Sequence, residues 1–124
     1  MPQFVETATR TFTNGSTALA KGTRVVLSSG VLAAAAVGER DLGVLEYRAE
    51  ADEPAAVRLL SAQGTQVAIA AGEIAAGAIV STAASGKVND VAATGSFERG
   101  MAVTGAAADG DLIEIIPFIG ETSA

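Results

Sequence analysis

Short apolar stretches, rich in β-branched residues and closed off by Gly, Ser, Asp or Asn, recur along this chain. Arg24-Val25-Val26-Leu27, Leu42 to Tyr47, Ala56 to Leu60, Gln66 to Ala70, Ala78 to Ser81, Met101 to Thr104 and Leu112 to Ile116 all have this form. They read as strands, because branched side chains suit a pleated surface and turn-forming residues end each run. Gln63-Gly64-Thr65, between two of them, predicts a hairpin, and Ala108-Asp109-Gly110-Asp111 predicts a tight turn. Two Ala-rich stretches, Val31–Val37 and Ala102–Ala108, favour helix by composition. Glycines at 30, 38, 100, 105 and 110 crowd them, so they are read as strand or loop with room for a short helical turn. Regular short strands with turn signals predict an all-β fold, a small single-domain barrel or sandwich.

A weak internal repeat runs through the pattern. Leu19-Ala20-Lys21-Gly22-Thr23-Arg24-Val25, Ser29-Gly30-Val31, Gly43-Val44, Ala49 and Val57 are followed later by a similar series. That second series is Ile74-Ala75-Ala76-Gly77-Ala78-Ile79-Val80, Ser85-Gly86-Lys87-Val88, Gly100-Met101-Ala102, Ala106, Ile113 and Ile115. A unit of roughly 40 residues is too small to bury a core alone, so the two halves are expected to pack into one pseudo-symmetric β domain. Chance similarity in an Ala- and Gly-rich chain is the competing explanation.

The N-terminal segment differs. From Phe4 to Thr13 it alternates strictly, with Thr7, Thr9, Thr11 and Thr13 on one face and Phe4, Glu6, Ala8, Arg10 and Phe12 on the other. Neither face is apolar enough for a core strand. Such a segment suits a sheet edge, or an extended arm that pairs with another chain. Asn14-Gly15, a strong turn signal, follows. The expected organisation is an arm or edge strand over 1–17, a β domain over 18–119 with repeats at 19–59 and 74–115, and a tail at 120–124.

Composition narrows the chemistry. The 124 residues include four Phe, one Tyr and no Trp, so the core must be built from Val, Ile, Leu and Ala. Ala buries little area, so such a core is thin, and part of the stability is expected from self-association or docking. The net charge is −6, with scattered basic residues, which disfavours nucleic-acid binding. No apolar run approaches the ~20 residues of a membrane helix. Met1-Pro2-Gln3-Phe4 lacks a basic segment followed by an apolar one, so no signal peptide is expected.

Candidate catalytic or ligand sites are few. There is no His and no Cys, which removes the commonest general base and the thiolate nucleophile. Lys21 and Lys87 are the only lysines, and both sit beside Gly in turn-like sequence. Ser85-Gly86-Lys87 fails as a phosphate loop, because position 81 is Ser rather than Gly and position 88 is Val. Carboxylates cluster from Glu39 and Asp41 through Glu46, Glu50, Asp52 and Glu53, without calcium-loop spacing, and are read as a solvated polar loop. No catalytic residue, cofactor or metal site is expected.

Ala71-Gly72-Glu73-Ile74-Ala75-Ala76-Gly77-Ala78-Ile79-Val80, Ala84-Ser85-Gly86-Lys87-Val88, Gly100-Met101-Ala102 and Ala106 to Ile115 together resemble a family of small tailed-phage capsid decoration (cement) proteins. The shared features are a Gly-led strand, a Gly-Lys-Val hairpin and a closing Gly-Asp strand. The resemblance spans about residues 19–117 and is clearer from 71 onward. It implies a structural, non-enzymatic virion protein on the outer face of an icosahedral head. Its implied partners are the major capsid protein and itself, as a homotrimer at threefold or quasi-threefold sites. It implies no cofactor, nucleic acid or membrane. The capsid-binding residues expected on the arm are Phe4, Thr7, Thr9, Thr11 and Phe12. The alternative is a small β-barrel binding module, either carrier-type with a modified Lys87 or carbohydrate-binding.

Overall fold

Among the described residues, ten strands form two five-stranded sheets with the same internal order. The computed structural model describes residues 8–120 and Thr122. The first sheet holds β1 (Thr9–Thr13), β2 (Arg24–Ser28), β3 (Val31–Ala34), β4 (Gly43–Leu45) and β5 (Pro54–Leu59). The second holds β6 (Gln66–Ile69), β7 (Ile79–Thr82), β8 (Val88–Asn89), β9 (Glu98–Ala102) and β10 (Leu112–Pro117). The orders are β1-β5-β4-β2-β3 and β6-β10-β9-β7-β8, so each strand of one sheet has a counterpart five strands later. All the pairings between named strands are antiparallel.

The match extends to single residues. A parallel bridge, Asn14 to Leu32, curls the first sheet so that its first strand meets its third; Ala70 to Val88 does the same in the second. Leu19 and Ala49 exchange backbone hydrogen bonds, as do Ile74 and Ala106. The turns after β2 and β7 both use a Ser-Gly pair in the left-handed region, Ser29 (φ 52°) with Gly30 and Ser85 (φ 60°) with Gly86. A left-handed turn matches the twist of the strands it joins, and Gly adopts it without steric cost. The two sheets thus repeat one strand order and one turn geometry.

Each half wraps its own apolar cluster. Val25, Leu32, Leu45, Ala49, Ala55 and Val57 fill the first, with Phe12, Leu19, Leu42 and Leu59 packed around them. Ile74, Val80, Val88, Ile113 and Ile115 fill the second together with Ala68, Ala70, Ala102 and Ala106. The two clusters are separate, one inside each half. Closing each sheet on itself encloses a space narrow enough for Ala and Val to fill. The Gln63-Gly64-Thr65 hairpin is corrected, since β5 and β6 belong to different sheets and this turn carries the chain from one half to the other. Val31–Ala34 is strand, and the one helical piece among the described residues is the short 3₁₀ turn Ala84–Gly86.

Candidate functional site

Between the two apolar clusters lies a polar seam. Arg24 opens β2, Asp41 precedes β4, Arg99 lies in β9 and Gln66 opens β6, and all four are buried. Arg24 Nη1 donates to Asp41 Oδ1 at 3.1 Å. Arg99 Nη2 donates to Asp41 Oδ2 at 3.0 Å and to Gln66 Oε1 at 3.1 Å. Gln66 Nε2 in turn donates to the Leu59 carbonyl. Arg24 also crosses the seam, donating through Nε to the Lys87 carbonyl at 3.1 Å and through Nη2 to that of Ala83 at 2.9 Å. Thr82 Oγ1 donates to the Val37 carbonyl, and the Gly86 amide to that of Ala35.

The seam resembles a site in its charge but not in its access. Both arginines and Asp41 have side chains with no exposed surface. Burial lowers the pKa of the Arg24 guanidinium from its ordinary value, and the Asp41 carboxylate opposes that shift. Fixed donors around a sealed carboxylate orient two halves; they present no reacting atom to a substrate. The reading of Asp41 as part of a solvated loop is thereby corrected. Its neighbours Glu39, Arg40, Glu50, Asp52 and Glu53 are exposed, and Asp41 alone turns inward.

The other motifs resolve into backbone support. Asp111 Oδ2 accepts the amides of Ala107 and Ala108, so Ala108 to Asp111 is a self-capped turn. Lys87 Nζ donates to Asp109 Oδ1 at 2.8 Å. Among the described residues no three His, Cys, Asp or Glu are grouped to hold a metal ion.

Of the arm residues, Phe4 and Thr7 lie outside the described residues. Thr9, Thr11 and Phe12 fall in β1, which pairs with β5 of its own chain from Thr9–Arg58 to Thr13–Pro54. Thr9 Oγ1 donates to Glu46 Oε1 at 2.8 Å. Phe12 packs on the first apolar cluster, with the Arg10 guanidinium 4.5 Å above its ring. Thr11 is exposed. Where the described chain begins, the Ala8 carbonyl accepts the Leu59 amide. That point adjoins an apolar groove of about 450 Å³ lined by Leu42, Leu59, Leu60, Ser61, Phe118 and Ile119. A second groove, about 400 Å³, holds Lys21, Glu46, Arg58, Glu114 and the exposed ring of Tyr47.

The model of the phage cement protein family matches residues 5–116, nearly the whole chain. The chain belongs to that family. It is accordingly a phage structural protein that associates with a capsid in the virion. No curated protein sequence matches it. Among solved structures it is similar to the N base of head fiber gp8.5 of bacteriophage phi29, at 16% identity. That match covers 94% of this chain and 98% of the other, with a TM-score of 0.69. At this identity the likeness concerns the fold, and the cement-family chain shares it along its length.

Proposed function

We propose that this protein binds the outer surface of an icosahedral phage head and stabilises the assembled shell. It does so without catalysis, as a homotrimer on threefold or quasi-threefold positions of the major capsid protein. The observation that carries this reading is the family match across residues 5–116. The seam supports it, since the most concentrated charge in the described fold is sealed between the halves and open to no substrate.

We place the capsid contact at the residues ahead of β1, Phe4 and Thr7, and at the apolar groove where that segment joins the fold. Thr9 and Phe12 are engaged within the chain and contribute by holding β1 in place. Apolar side chains at the groove give up water on docking, worth ~25 cal/mol per Å² removed. The test is co-sedimentation with undecorated heads of the host phage. The expected result is saturable binding that raises the temperature of DNA release; heads that neither bind the protein nor gain stability would refute the reading.

A carbohydrate-binding reading has one observation in its favour, the exposed Tyr47 beside the charged groove. Calorimetric titration with host surface polysaccharide tests it. The carrier reading has less support, because Lys87 is held by Asp109.

A further inference from the structure

The two halves pack head to tail, and the surfaces that meet between them occur a second time, uncovered. In the first half, Arg24, Val44 and Arg58 form a row in register across β2, β4 and β5. The second half lies over the Arg24–Val44 part of this row, leaving Arg24 at 0% and Val44 at 2% exposure, while Arg58 at its end keeps 26% of its side chain exposed beside the charged groove. Nearby, a Cβ placed on Gly22 would stand within 3.4 Å of the Val67, Ile69 and Leu112 side chains. From the other side Gly86 is pressed against Thr23 and Arg24, with no room for a Cβ.

By strand order and register, the counterpart row in the second half is Ile79, Met101 and Ile116 across β7, β9 and β10. It is wholly apolar and bare, at 38%, 39% and 50% exposure. Gly77 is the counterpart of Gly22, and a Cβ there would meet nothing within 4 Å. Gly30 is the counterpart of Gly86, and it too faces open space. The covered part of the first row carries a buried arginine, Arg24, whereas the bare row is apolar throughout. This is the reverse of what solvent would favour.

We infer that a second copy of this chain covers the Ile79–Met101–Ile116 row, its first half docking there as the second half docks on the first within one chain. Gly30 of the incoming copy would then lie against Ala78 and Ile79, and its Thr11 and Thr13 against Gly77. Such an interface joins two different surfaces, so it propagates until rotation closes a ring. Three copies would close six half-barrels about one axis. The inference deepens the homotrimer reading above and rests on it.

Two substitutions test it, one on each side of the interface. Gly30→Asn keeps the fold, because Asn tolerates the left-handed backbone and the site is open, but it fills the space the neighbour needs. Met101→Glu places a charge in the row. Sedimentation should show the wild type as a closed trimer and each variant as a monomer with unchanged circular dichroism. An equimolar mixture should recover a one-to-one heterodimer and no ring, because each variant keeps one intact surface. A monomeric wild type, either variant at trimer mass, or a mixture that stays monomeric would each overturn the inference. If a variant loses its fold, Ser29→Asn and Ile116→Glu replace it with the same expectations. Co-sedimentation of the same variants with heads separates the two readings, since a monomeric variant that still pellets leaves capsid binding standing.

Discussion

Asp41 in the first half holds Arg99 in the second, with Nη2 3.0 Å from Oδ2 and neither side chain touched by solvent. Because Arg24 takes the other carboxylate oxygen, one acid neutralises part of two buried cations. Removing the acid leaves both guanidiniums uncompensated in a low-dielectric seam, and breaking such a buried pair costs about 3–5 kcal/mol. Asp41→Asn should therefore lower the melting temperature by roughly 10–20 °C, by the usual scaling for domains of this size. Differential scanning calorimetry checks it; a change of one or two degrees would mean the seam is not structural.

Lys87 with Asp109 is the contrasting case. Both side chains reach solvent, at 29% and 62% exposure. Exposed ion pairs contribute ~0–1 kcal/mol. Lys87→Ala should change stability by less than about 1 kcal/mol in urea denaturation.

Phe12 reports on β1. Its ring packs on the first apolar cluster, so Phe12→Ala should cost about 2 kcal/mol, less than the ~3–5 kcal/mol typical of a fully buried Phe. The exposed neighbour Thr11 should be close to neutral when changed to Ala, within about 0.5 kcal/mol. Equal effects at the two positions would contradict the packing of β1 on its own sheet.

Truncation separates docking from folding. Deleting residues 1–7 should leave the circular dichroism and melting temperature nearly unchanged while weakening capsid co-sedimentation. Deleting 1–13 removes β1, uncovers the edge of β5, and should unfold the first half. Unchanged capsid affinity after the shorter deletion would remove Phe4 and Thr7 from the contact.

Much of this fold is readable in the chain because its punctuation is local. Ser29-Gly30 and Ser85-Gly86 dictate the turns after β2 and β7, and the branched runs around Val25 and Ile113 dictate the strands beside them. The seam is not readable, because its members are distant in sequence and each looks ordinary alone. Arg24 stands at the start of an apolar strand, and Asp41 sits among charges that do face water. Only the way one half leans on the other brings Arg99 to Asp41. The turn at Gln63-Gly64-Thr65 is ambiguous for the same reason: Gly signals a change of direction but not which sheet the next strand joins. For the N-terminal segment, alternation identifies a strand at β1, but periodicity alone cannot name the chain it pairs with.

Strand pairing among the described residues never crosses from one half to the other. Each half can therefore complete its own pairing from its own stretch of chain. The opening strand must wait for Pro54–Leu59 to leave the ribosome before it has a partner, and from then the first half can close on itself. At that stage Arg24 and Asp41 are already present and can pair. Arg99 arrives some sixty residues behind Asp41 and cannot be buried until that carboxylate is in position. Arg99 is therefore the residue whose burial depends on both halves being in place, and a chain whose first half failed to form would leave it a stranded charge.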